Sequence, residues 1–186
     1  MPSQLSQVWD DLIGPPMVAH DLRTYLPNRW VRFHALPESK RYPSNEAEYV
    51  EILRRHNLLL TELGASGANI FVIVPEHSAT PDGEAPSLHF RQVVPPTKPW
   101  VSLRTEEPEP WFLHLHAAQL RYERGALDPL LRLIADDVLY GVIIVIPKTG
   151  VVLHPYDGGI DVILRSTAER DRVGASHTAW LPFDLL

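Results

Sequence analysis

Hydrophobic and polar positions along the chain mark out its elements. Ser3 or Ser6 can cap a short amphipathic helix reaching about Ile13, where Gly14-Pro15-Pro16 stops it. From Arg29 to Leu36, Trp30, Arg32 and His34 alternate with Val31, Phe33 and Ala35, the period of two that predicts a strand with one apolar face, closed by Pro37. Asn45 with Glu48 three residues on is a capping box, and Val50, Ile52, Leu53, Leu59, Leu60 and Leu63 then recur at helical spacing until Gly64. Ile70 to Val74 is a continuous apolar run, the mark of a strand buried on both faces.

Periodicity lapses between residues 75 and 110, where Pro75, Pro81, Pro86, Pro95, Pro96, Pro99, Pro108 and Pro110 fall. Proline removes a backbone donor and fixes φ, so only short edge strands at Leu88–Val94 and Trp100–Arg104 are expected in this excursion. Regular pattern resumes at Trp111–Ala118, with Trp111, Leu113 and Leu115 on one face and Phe112, His114 and His116 on the other. Asp128-Pro129 reads as a cap and first-turn proline for a helix carrying Leu130, Leu131, Leu133 and Ile134 and ending near Asp137.

The carboxy-terminal part reads as a three-stranded meander of Val142–Ile146, Val151–Tyr156 and Gly159–Leu164. Asp157-Gly158 is a two-residue hairpin signal of the type I′ kind, which pairs Tyr156 with Gly159, His154 with Asp161 and Val152 with Ile163. Val151, Leu153, Pro155, Ile160, Val162 and Leu164 then form the core face. A four-residue loop at Pro147-Lys148-Thr149-Gly150 sets Ile143 beside His154 and Gly141 beside Tyr156. Ser166-Thr167-Ala168-Glu169 opens a last helix running to about Trp180, before Pro182. The expected fold is α+β: one domain over residues 1–186, a mixed but mostly antiparallel sheet, and about four helices packed on one face.

Composition narrows the chemistry. At 186 residues the chain has the size of one domain, able to bury roughly 70% of its unfolded surface. It has no cysteine, which excludes a disulfide, a thiolate nucleophile, an Fe–S cluster and thiolate-bound zinc. A net charge of −6 provides no general attraction for nucleic acid. Met1 to Asp11 has neither the basic nor the apolar region of a secretory signal, and the aliphatic run Val138–Ile146 is about half a membrane span, so a cytoplasmic protein without a membrane partner is expected.

Nucleophile and metal hypotheses therefore fall on the nine histidines. His114 and His116 share a strand face, a His-x-His pair that resembles the start of a cupin metal site. Glu123 lies too far on for that motif, and Gly141, Pro147, Gly150 and His154 fit its second half with two intervals each one residue too long, so no metal is assigned. His154 opposite Asp161 is a candidate catalytic pair, because a carboxylate beside an imidazole sets its tautomer and raises its basicity. No serine stands in a nucleophile elbow; Gly64-Ala65-Ser66-Gly67 departs from that pattern. Arg32 and His34, near Lys40 and Arg41, form a candidate anion site, and Tyr156 and Asp157 at the turn of the last hairpin are further ligand-binding candidates. Phosphate-loop, zinc-helix and calcium-loop motifs are missing, and no cofactor is expected. Trp100 and Trp111 flank the proline-rich stretch, a composition typical of contact surfaces.

The stretches Trp30-Val31-Arg32-Phe33-His34-Ala35-Leu36-Pro37-Glu38-Ser39-Lys40-Arg41-Tyr42 and His154-Pro155-Tyr156-Asp157-Gly158-Gly159-Ile160-Asp161-Val162 resemble a family of small bacterial α+β proteins of unknown function. The architecture is also similar to that of immunity proteins that neutralise toxins. The resemblance implies an α+β fold and a bacterial origin, and brings no activity. The expected function is a non-catalytic protein- or ligand-binding domain of immunity or regulatory type, with a toxin or regulator as partner and a homodimer through a sheet edge as a further option. The alternative is a metal-dependent or hydrolase-like enzyme built on His114, His116, His154 and Asp161, which requires these four side chains to converge.

Overall fold

Seven antiparallel strands form one sheet, and helices cover both of its faces. In the computed structural model, residues 2–83, 85–105 and 111–182 are described. The helices are α1 (Pro2–Leu12), α2 (Leu22–Tyr25), α3 (Glu46–Glu62), α4 (Leu88–Val93), α5 (Asp128–Ala135) and α6 (Thr167–Ser176). The strands are β1 (Trp30–His34), β2 (Asn69–Ser78), β3 (Lys98–Thr105), β4 (Trp111–Arg121), β5 (Ile143–Ile146), β6 (Val151–Tyr156) and β7 (Gly159–Ile163), in the spatial order β1-β7-β6-β5-β2-β4-β3. Every pairing is antiparallel, so the expected mixed sheet is corrected.

The α+β class and the meander hold, with the predicted register. Tyr156 pairs with Gly159, His154 with Asp161 and Val152 with Ile163. The turn type differs, since neither Asp157 nor Gly158 has the positive φ of a type I′ turn. Burial on both faces also places helices on both, rather than about four on one. Ile70, Val72, Val74, Ile144, Leu153 and Val162 face α3 and α5, where Leu59, Leu60, Leu130 and Ile134 complete one core. Phe71, Ile73, Val145, Val152 and Ile163 face the other way, against Leu5 and Trp9 of α1 and Leu22 of α2. Each aliphatic residue in β2, β5 and the middle of β6 is thus enclosed whichever way it points.

Local signals explain the helix ends. Asn45 accepts the backbone N–H of Glu48 at the start of α3, and Ser166 accepts that of Glu169 at the start of α6. Asp128 does not cap α5; its carboxylate accepts from Asn57 Nδ2 at 2.7 Å instead, tying α5 to α3. Val50, expected on the apolar stripe, is exposed.

The proline-rich stretch contains more structure than its composition suggests. Leu88–Val93 is a helix rather than an edge strand, and its Phe90 packs into the α3–α5 core. The second expected strand is present as β3, at the sheet edge, with a register shift between Pro99 and Val101. Trp100 turns inward: it meets Trp9 edge-on at 5.3 Å, and its Nε1–H donates to Ser6 Oγ. Pro108 and Pro110 lie outside the described residues.

Candidate functional site

The face of the sheet carrying Val152 and Ile163 is apolar where α1 and α2 cover it and becomes polar one step along β6 and β7. There β1, β7 and β6 set Arg32, Asp161 and His154 in one cross-strand row. The Arg32 guanidinium grips Asp161 with two bonds, Nε to Oδ1 at 2.7 Å and an Nη to Oδ2 at 2.9 Å. It also lies over the Tyr156 ring, 4.9 Å from its centre. Beside the row, Arg41 forms a second two-bond pair with the buried Asp157. Hydrogen bonding to these carboxylates holds both arginines above their ordinary pKa.

These residues line an open pocket of about 320 Å³ together with His20, Arg23, Asp137, Tyr140 and Gly141. Among the sequence-predicted candidates, Arg32, His154, Tyr156, Asp157 and Asp161 therefore come together. His34 does not line the pocket; burial holds its imidazole below the ordinary range. Lys40 is also withdrawn, since its ammonium bonds Ser44 and both carboxylate oxygens of Glu48.

His154 is neutral in this setting. Burial pushes its imidazole down from the usual 6.5, against the opposing pull of the Val142 carbonyl and the Asp161 charge. Nδ1 lies 3.0 Å from the Val142 carbonyl oxygen, which can only accept, so Nδ1 carries the proton. Asp161 therefore does not set the tautomer, as its position in the register had implied: its oxygens are engaged by Arg32. The basic Nε2 of His154 has no hydrogen-bond partner among the described residues. Burial also pushes the Tyr156 phenol up to about 12, so it stays protonated.

Residues 18–183, which include every residue of this pocket, match the family described as Domain of unknown function (DUF3885). The chain belongs to that family. No curated protein and no solved structure matches it.

The four-residue site that the alternative enzyme reading requires does not assemble in the DUF3885 chain. His114 and His116 point from β4 toward the side of the sheet that holds Val72 and Val74, whereas His154 and Asp161 point to the side that holds Val152 and Ile163. The sheet separates the two pairs, and among the described residues no group of three His, Asp or Glu side chains is arranged to hold a metal. Sequence reading missed His20, Arg23, Asp137 and Tyr140. Only Tyr140 had a signal, being next to the Gly141 that the loop length set beside Tyr156; the others reach the pocket through tertiary packing.

Proposed function

We propose that this DUF3885 chain is a binding domain whose meander pocket takes a small polar ligand with an acidic group at one end and a hydrogen-bond donor at the other. The observation that carries this reading is the state of the two floor carboxylates. Asp157 and Asp161 are each engaged through both oxygens by an arginine, which suits them to shaping a pocket rather than to acting as acid, base or metal ligand. The unspent groups lie around them. Arg23 is exposed at the rim with no ion pair among the described residues, and His154 offers a bare Nε2. A carboxylate or phosphate suits Arg23, and a hydroxyl or ammonium suits Nε2 and Asp137. The volume lies at the small end of the range of small-molecule sites, which leaves room for a small polar acid.

Titration calorimetry with glycine, glycolate, lactate and inorganic phosphate tests the reading. At least one binds, and Arg23→Ala weakens it by about tenfold or more, with no change in melting temperature, as expected for a lost charge-assisted hydrogen bond. Failure of the whole panel to bind, or unchanged affinity in Arg23→Ala, removes it. A protein partner of toxin or regulator type is the second reading, favoured by the exposed Tyr42, Val138 and Tyr140 near the pocket mouth. In that case Tyr140→Ala weakens the complex while small acids do not compete.

A further inference from the structure

The excursion between β2 and β3 folds over the opposite side of the sheet and encloses a second cavity, of about 560 Å³. Its floor is the histidine face of β4, and its walls come from α4, the Pro95-Pro96 turn and β3. Ser102 of β3 and His114 of β4 are cross-strand partners there. Ser102 Oγ lies 2.7 Å from His114 Nδ1, and His114 Nε2 lies 3.1 Å from the carbonyl oxygen of Thr80. A carbonyl oxygen only accepts, so Nε2 carries the ring proton, Nδ1 is the basic nitrogen, and the Ser102 hydroxyl donates to it. This is the sequence of nucleophile, base and orienting group found in acyl-transfer sites, arranged across a strand pair instead of in a turn.

The surroundings suit that chemistry. Ser102 is exposed while His114 is buried, so the nucleophile is reachable and the base is shielded. The loop closes on the ring at Gly83, where an added Cβ would lie 3.0 Å from His114 Nδ1. The Arg91 guanidinium, in the cavity wall, makes no hydrogen bond or ion pair among the described residues and provides positive charge for an oxyanion. Val94, Pro95, Pro96 and Pro99 make the remaining wall apolar.

We propose that Ser102 and His114 form an acyl-transfer site for small esters with an apolar acyl group. In the first half-reaction Ser102 Oγ bonds to the ester carbonyl carbon and its proton passes to His114 Nδ1. The ester C–O bond then breaks and the alcohol leaves with that proton. In the second, water bonds to the acyl carbon and gives a proton to Nδ1. The acyl–serine bond then breaks, Ser102 regains the proton, and the carboxylic acid departs.

The test treats the full chain with a fluorophosphonate probe and with p-nitrophenyl acetate, butyrate and octanoate. One adduct maps to Ser102, and the longer acyl chains react faster than acetate. Ser102→Ala abolishes the adduct at unchanged melting temperature, and His114→Gln slows labelling by about a hundredfold or more. An adduct that persists in Ser102→Ala, or no adduct after prolonged exposure, overturns the proposal even if His114→Gln fails to fold. Neither result bears on the meander pocket, whose groups lie across the sheet.

Discussion

Asp161 shows how a single residue acquires its role. Its place opposite His154 follows from a two-residue turn, but its bonding partner is Arg32, which stands 129 positions earlier and reaches it only because β1 adds to the outer side of β7. The Asp161 side chain is 7% exposed and that of Arg32 24%, so the pair lies between the surface and buried regimes. Asp161→Asn leaves Arg32 partly buried without its counter-charge and is expected to cost about 2 kcal/mol of stability, readable by denaturant unfolding. Arg32→Met combined with Asp161→Leu recovers part of that loss, because the strandedness of a lone charge is removed along with the pair. A double variant no more stable than Asp161→Asn contradicts this account.

At the level of elements, capping and turn length were readable because they are local. Asn45, Ser166 and the Pro147–Gly150 loop each act within four residues of chain, and the structure has them as expected. Leu88–Val94 reads as a strand in the sequence because Leu88, Phe90 and Val94 fit a strand's alternation as well as a short helix; packing of Phe90 against the α3–α5 core decides for the helix. The β1–β7 seam depends on Gly159, where an added Cβ would lie 2.2 Å from the Phe33 carbonyl oxygen. Gly159→Ala therefore pushes β1 off β7, lowers the melting temperature by several degrees, and weakens the ligand binding proposed for the meander pocket through displacement of Arg32. An alanine variant as stable as the parent would mean that the seam yields without cost.

The whole molecule carries a pH dependence set by its buried imidazoles. His56 and His154 both have pKa values depressed below 6.5 by burial, so the unfolded chain binds more protons than the folded one as the solution acidifies. Their contribution to stability is complete above about pH 6.5 and is lost as the pH falls through the folded values. Glu51, lowered from 4.5 to about 2 chiefly by its hydrogen bond from Arg54 and also by Arg55, extends the loss below pH 4.5. Calorimetry from pH 7.5 to 5 is expected to show a falling melting temperature, with a shallower fall in His154→Gln; a flat or rising profile would refute neutral histidines in the core. The sequence alone determined the α+β class and the meander register, which sets His154 opposite Asp161, because period, caps and short turns act over a few residues. Only the tertiary structure decided that helices cover both faces, that Arg32 rather than His154 bonds Asp161, that Arg23 lines the pocket, and that Ser102 meets His114. Each of those contacts joins segments whose meeting depends on strand order across the sheet, which local periodicity does not encode.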